Sequence, residues 1–472
     1  MPKKLCATEF FNVKKTFVFL LFIFLYCFSV YSQGHNISVE IKGYANKTVY
    51  LGNYYGDKQY ISDTLKTDSN GKFKIIGEKN LEGGIYFILN TEKTILFEFL
   101  VSEQKFSLST DSIDFKNNLK VKHSKENEIF FDFNRFYAEK RKTFMEYEKR
   151  IETNKNNPDS VTAIKSLLKS TEKEIQDYIE NTIKNYPDAL ISKIFNINKS
   201  VEIPESPDKS DSTFALRYHQ QHFFDLTDFS DPRLLHTPAL NSKIYTYLDR
   251  LVYPEPDSLK KAAEMICEKA KANKDVFRYC LSNLTYHFIT SNFMWMDEVF
   301  LHLYDKYFLT GEATWADTSV LNEYKKIADR IRYNQKGMVA YNLNYIDTSR
   351  TKIYPLHNIK TDFTIVFFFD PGCGHCKSST AALNADYNTL RMMGAEVYAV
   401  CTKPEHDKWT KFIRDNKLKW INVGPTDMKY KDMFNVYTAP IIYILDKEKR
   451  IIAKKLDAAM VKEFILNYNH GL

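Results

Sequence analysis

The 472-residue sequence is poor in glycine and proline, with 15 and 14 of them, about half the usual share. That scarcity excludes collagen-like and low-complexity architecture. It also disfavours a chain made only of short strands and tight turns. Long basic runs are absent: nowhere do more than three basic residues follow one another. Residues 1–32 hold four lysines against one glutamate and so account for three of the seven net positive charges. The surplus left on the rest is no electrostatic footprint for nucleic acid, which is not an expected partner. Long apolar runs are almost missing. The main one, residues 16–30, is short of the roughly 20 residues a membrane span needs. Cysteine is sparse too. Beyond Cys6 and Cys27, only Cys267, Cys280, Cys373, Cys376 and Cys401 occur, too few for a disulfide framework in a chain of this length.

What is present has the balance of ordinary globular proteins, with 44% hydrophobic and 26% charged residues. Aromatic residues reach 15%, nearly all of them Phe and Tyr. The N-terminus reads as a secretory signal, residues 1–32. Lys3-Lys4 and Lys14-Lys15 form a basic front, the apolar run follows, and Val30 and Ser32 stand at minus three and minus one of a cut before Gln33. Tyr26 before Cys27 is too bulky for a good lipidation box. The expected location is the periplasm or cell envelope, with a membrane anchor if the signal is not cleaved.

Three regions follow, and together they predict a multidomain α+β chain. Residues 33–118 alternate with period two, as in 35–41, 47–51, 72–76 and 85–89, and Asp68-Ser-Asn-Gly71 supplies a turn. They predict a small antiparallel β-domain, a sandwich. Residues 119–335 change to helical spacing: Ile129, Phe133, Phe136, Phe144, Tyr147 and Ile151 share one face. A second helix carries Val161, Ile164, Leu168, Ile175, Ile179 and Ile183, and further helices fill a central all-α module. Residues 336–472 mix the two patterns. Runs at 364–369, 394–400 and 441–445 predict buried strands, with amphipathic helices at about 374–392 and 405–416 between them.

The chemistry is concentrated in Asp370-Pro-Gly-Cys373-Gly374-His375-Cys376. A buried strand ends, the chain turns, and two cysteines open a helix. Free backbone N–H groups and the positive end of the helix dipole lower the first thiol's pKa. Such a thiolate attacks a substrate disulfide, and a thiol one turn away resolves the mixed disulfide. A zinc knuckle would need a second ligand pair, and none follows Cys376. His219, His222 and His236 have metal-like spacing, but no carboxylate or cysteine pairs with them, so no metal site is expected. Cys401 reads as a core thiol. Cys267 and Cys280 lie on one helix and its successor, and their pairing stays open.

With these residues in view, 336–472 resembles the thioredoxin fold of exported thiol–disulfide oxidoreductases typified by TlpA and ResA. The segments before it resemble the small β-domain and uncharacterised helical module that precede such domains in bacterial envelope proteins. The resemblance implies a redox enzyme with Cys373 as nucleophile, Cys376 as resolving thiol and His375 as a tuner. It implies a cis peptide at Pro440 and a backbone at Ala439 that receives substrate. It also implies a hairpin near 337–343. No bound cofactor is needed. The implied partners are exported proteins bearing thiols or disulfides, and a membrane or periplasmic electron donor. Three positions depart from the pattern. Phe367 and Ser379 stand where acids are common, and Gly372 where Trp is common. These losses predict a site with little negative charge around it. A rival expectation is a non-enzymatic envelope binding or assembly protein, whose first two domains recognise a partner.

Overall fold

The structure, a computed structural model, describes residues 34–470. The expected signal peptide, with Cys6 and Cys27, lies outside the described residues. The chain divides into two compact units, with the division between Tyr245 and Thr246.

The first unit begins with eight strands: β1 (His35–Lys42), β2 (Thr48–Tyr55), β3 (Lys58–Lys66), β4 (Lys72–Gly77), β5 (Gly84–Leu89), β6 (Ile95–Val101), β7 (Lys105–Asp111) and β8 (Lys120–Lys122). They make two four-stranded sheets, ordered β4-β1-β7-β8 and β3-β2-β5-β6. The period-two pattern sets their faces. Ile37, Val39 and Ile41 of β1 are buried, and Phe99 of β6 meets Phe106 of β7 with ring centroids 6.1 Å apart. One seam differs from the all-antiparallel expectation: β1 and β7 pair in parallel. A two-residue hairpin requires antiparallel neighbours, but β1 and β7 are separated by the strands between them, so their direction is free.

Ser124 caps the next helix, α1 (Lys125–Thr153), accepting from the Asn127 N–H. The buried Asn127 amide then both accepts from the Leu100 N–H and donates to the Leu100 carbonyl, at 2.8 and 2.7 Å. It thereby satisfies the open edge of β6. Helix α2 (Pro158–Asn185) starts at Asn157 and Pro158, an N-cap followed by proline at the first turn. Its Tyr178 stacks on Phe136 of α1. The outer stripe residues Phe144, Tyr147 and Ile151 are only half-buried. Helices α3 (Leu190–Asn198), α4 (Phe214–His222) and α5 (Ala239–Arg250) follow, and the division between units falls within α5.

The second unit opens with α6 (Pro256–Ala270), α7 (Lys274–Thr290), α8 (Asp297–Leu303) and α9 (Thr318–Arg332). Cys267 of α6 and Cys280 of α7 are buried free thiols. Burial raises both, Cys280 to about 12, and the Cys280 thiol adds to the rise at Cys267. Then come β9 (Asn344–Asp347), β10 (Ile353–Pro355), β11 (Phe363–Phe369), α10 (Gly374–Met392), β12 (Ala395–Cys401), α11 (His406–Asp415), β13 (Ile421–Gly424), α12 (Lys429–Met433), β14 (Ile441–Leu445), β15 (Ile451–Lys454) and α13 (Val461–Asn469). Their sheet has the order β10-β9-β13-β12-β11-β14-β15. All seven residues of β11 are buried. It pairs in parallel with β12 and antiparallel with β14. The result is a thioredoxin-like α/β domain, preceded in the chain by a β-domain and helices.

Two details depart from the sequence expectation. Strand β13 has only four residues, too few to show a period. The hairpin expected near 337–343 is instead β9–β10, whose turn is closed by Asp347: its carboxylate accepts from the Ser349 hydroxyl and the Thr351 N–H. Residues 338–343 form no strand of their own, with an isolated bridge between Val339 and Arg450.

Candidate functional site

Strand β11 delivers the chain to Asp370, and a short turn places Cys373 as the N-cap of α10. The Asp370 carboxylate accepts from the Gly372 N–H at 2.8 Å, and the Cys373 N–H donates to the Asp370 carbonyl at 3.1 Å. Register does the rest. Phe368 of β11 faces Ile441 of β14, so the residues just before β14 stand beside the helix start. The Ala439–Pro440 bond there is cis. The Cys373 thiol donates to the Ala439 carbonyl at 3.7 Å.

The two cysteines sit in opposite environments. Cys373 is half-buried and Cys376 is buried. The Cys373 pKa is held below its ordinary value, chiefly by the backbone N–H of Cys376 and next by the Cys376 thiol. The backbone N–H of His375 adds to this, while slight burial and the Asp370 carboxylate oppose it. These are the free amides of a helix N-terminus. Burial pushes Cys376 up to about 12, although the Asp370 N–H donates to its sulfur at 3.3 Å. One thiol is therefore half-buried with a lowered pKa, and the other is buried with a raised one.

The remaining expected site residues fall around this pair. The His375 side chain is exposed, and the group through which His375 reaches Cys373 is its backbone amide. Gly374 opens α10, and a Cβ there would meet nothing within 4 Å, so space does not demand a glycine. Phe367 is fully buried and stacks on Phe369. Ser379 lies at a cleft beside Pro440.

The expectation of a site without nearby negative charge is corrected by Asp370. Burial raises this carboxyl, but the Lys403 ammonium and the Gly372 N–H outweigh it and hold the pKa below the usual range. Lys403 lies 2.6 Å from Asp370. With Lys408 and Cys373 they line a cavity of about 420 Å³. Asp370 was legible as the acid three residues before Cys373. Lys403 was not, because only the β11–β12 pairing brings it there.

The histidines with metal-like spacing do not converge. His222 Nδ1 lies 2.6 Å from Asp225, His219 meets the Phe223 ring, and His236 lies against Tyr55. Among the described residues no group of three His, Cys, Asp or Glu is placed to hold a metal ion.

A parallel–antiparallel sheet with a dithiol at a helix N-cap beside a cis-proline defines the thioredoxin-like class. Residues 338–454 match the AhpC/TSA family, and this C-terminal domain is thioredoxin-like. Residues 35–130 and 148–335 match two domains of unknown function, DUF4369 and DUF5106. Among solved structures, a domain of possible thiol-disulfide isomerase from Cytophaga hutchinsonii is 34% identical, covering 29% of this chain and 95% of its own, with a TM-score of 0.28. A thioredoxin-like protein from Bacteroides caccae is 19% identical over 57% of this chain and 99% of its own, with a TM-score of 0.48. A thiol:disulfide interchange protein from a Bacteroides species is 26% identical over 29% and 93%, with a TM-score of 0.28. No curated protein matches the chain.

Proposed function

We propose that this protein exchanges disulfides with exported proteins through Cys373 and Cys376. The observation that carries the reading is the contrast between the two thiols: Cys373 acidified by helix N-terminal amides, and Cys376 buried and raised to about 12. The Cys373 thiolate attacks one sulfur of a substrate disulfide, and the other sulfur leaves as a thiolate. Cys376 then loses its proton and attacks the Cys373 sulfur. The bond to the substrate breaks, and the substrate departs as a dithiol. Two electrons have passed to the substrate, and Cys373–Cys376 is now the disulfide. An external dithiol donor returns it to the reduced form, and the same steps run backwards when the substrate is a dithiol. The basic front and apolar run of residues 1–32 support action in the envelope.

Insulin reduction tests the reading. Wild-type protein is expected to precipitate insulin B chain in the presence of a dithiol donor, and Cys373→Ser is expected to abolish the activity. Retention of activity in that variant would overturn the assignment. Absence of activity in both, with tight binding to envelope proteins, would favour the binding or assembly role instead.

A further inference from the structure

The groove beside Pro440 is not enclosed by the thioredoxin-like elements alone. A cleft of about 520 Å³ opens there. Ile442 and Leu456 supply its apolar floor, and the exposed Tyr437 and Thr438 form one rim. The opposite rim is Ser291 and Asn292, from the connection between α7 and α8. A helix connection far upstream in sequence thus borders the cleft beside Pro440.

Both rims are held in place. Lys455 Nζ donates to the Ser291 carbonyl at 3.0 Å. Three residues further on, Met294 packs against the hydrophobic clusters on both sides of the sheet. Trp295 is 8% exposed and holds a φ of 68°, with the Lys454 ammonium 4.9 Å from its ring centroid. A bulky residue at positive φ is an outlier that its surroundings must over-determine. Its effect is visible in the exposure pattern. Thr290, Asn292 and Phe293 face outward, with Phe293 78% exposed, whereas Trp295 and Met296 are buried. On the other rim, the Arg330 guanidinium of α9 lies 4.2 Å from the Tyr437 ring centroid. Arg330 and the Tyr437 hydroxyl both donate to Asp432, at 3.0 and 2.6 Å.

We infer that residues 289–292 form a specificity-determining wall of the substrate groove. The occupant is an extended stretch of substrate polypeptide flanking its disulfide. It enters between Asn292 and Thr438, sets an apolar side chain on the Ile442–Leu456 floor, and meets the polar rims with its backbone. The cleft reaches Pro440, and the Cys373 thiol contacts the residue before it, so a chain lying in the cleft continues to the reactive sulfur. The inference rests on the reading of Cys373 and Cys376 as the redox pair. It adds that the helical region contributes to the choice of substrate.

Asn292→Trp and Thr290→Trp test the wall, since both positions are exposed and the added bulk projects over the cleft. Reduction of insulin is compared with reduction of hydroxyethyl disulfide, which is too small to span the groove. The expected result is a KM for insulin raised about tenfold, kcat little changed, and a much smaller effect on hydroxyethyl disulfide. Anisotropy of a fluorescent, carboxymethylated insulin B chain reads the groove without any sulfur chemistry, and both Trp variants should weaken its binding. Unchanged insulin kinetics in both Trp variants, or equal losses on both disulfides, would overturn the wall. A wild-type protein that binds the carboxymethylated chain through this wall yet reduces neither disulfide would overturn the redox reading and leave the wall standing.

Discussion

Lys454 and Asp297 form an ion pair at 2.9 Å, with side chains 0% and 3% exposed. The pair joins the last strand of the sheet to the first residue of α8. Lys454 Nζ also donates to the backbone carbonyl and the side-chain oxygen of Asn334, each at 3.2 Å. Burial pulls the ammonium's pKa down, and Asp297 restores it only in part. Such a pair holds the helices to the sheet in one arrangement, and its cost shows when one partner is removed.

Lys454→Met is therefore expected to destabilise the protein by about 3–5 kcal/mol, because it strands the Asp297 carboxylate in the interior. Adding Asp297→Leu should recover much of that loss, though the Asn334 oxygens still lack their donor. Urea denaturation of the two variants checks this. A double variant no more stable than Lys454→Met would show that the buried charge is not the source of the loss.

Alkylation of the reduced protein at mildly acidic pH should label Cys373 first. Its lowered pKa gives it a larger thiolate fraction than an ordinary thiol at the same pH, whereas burial pushes Cys376 up to about 12. Peptide mass mapping against time reads the order. Preferential labelling of Cys376 would reverse the roles.

Cys376→Ser should accumulate mixed disulfides with envelope proteins, and Cys373→Ser should not. Without the resolving thiol, the first attack goes to completion and cannot be undone internally. Non-reducing gels with mass spectrometry read the trapped species. Equal trapping by both variants would mean that the thiols have no distinct roles.

The reduction potential is expected at about −180 to −230 mV, nearer to disulfide isomerase than to thioredoxin. An acidified Cys373 stabilises the reduced form and makes the disulfide the better oxidant. Asp370 works against this, since its charge opposes the Cys373 thiolate. Asp370→Asn should therefore raise the potential, by up to about 30 mV for one pKa unit of relief. Equilibration against glutathione measures both proteins. A wild-type value below about −260 mV would show that thiolate stabilisation does not dominate.

Much of the site was legible because it is local. Cys373, Gly374, His375 and Cys376 occupy one turn, and a run such as 364–369 announces a strand buried on both faces. Asp370 belongs to the same stretch, yet its weight at the site comes from Lys403 and from the N–H it donates to Cys376, neither of which follows from spacing. His375 shows the opposite error. Its ring invites a role, while the contribution to Cys373 comes from a backbone amide that any residue there would supply. Strand β13 and the β9–β10 hairpin were missed because segments of three or four residues carry no period.

The sequence by itself determined what depends on neighbours along the chain: the strand-to-helix turn, the helix amides that acidify Cys373, and the alternation that gives β1 its buried face. The tertiary structure decided what depends on residues far apart. It laid β7 parallel to β1, brought Lys403 to Asp370, closed Lys454 on Asp297, and set residues 289–292 in one cleft with Thr438. The reason is physical. A helix dipole or a pleat acts over a few residues and can be read in order, whereas an ion pair or a groove wall exists only once packing has settled which distant surfaces meet.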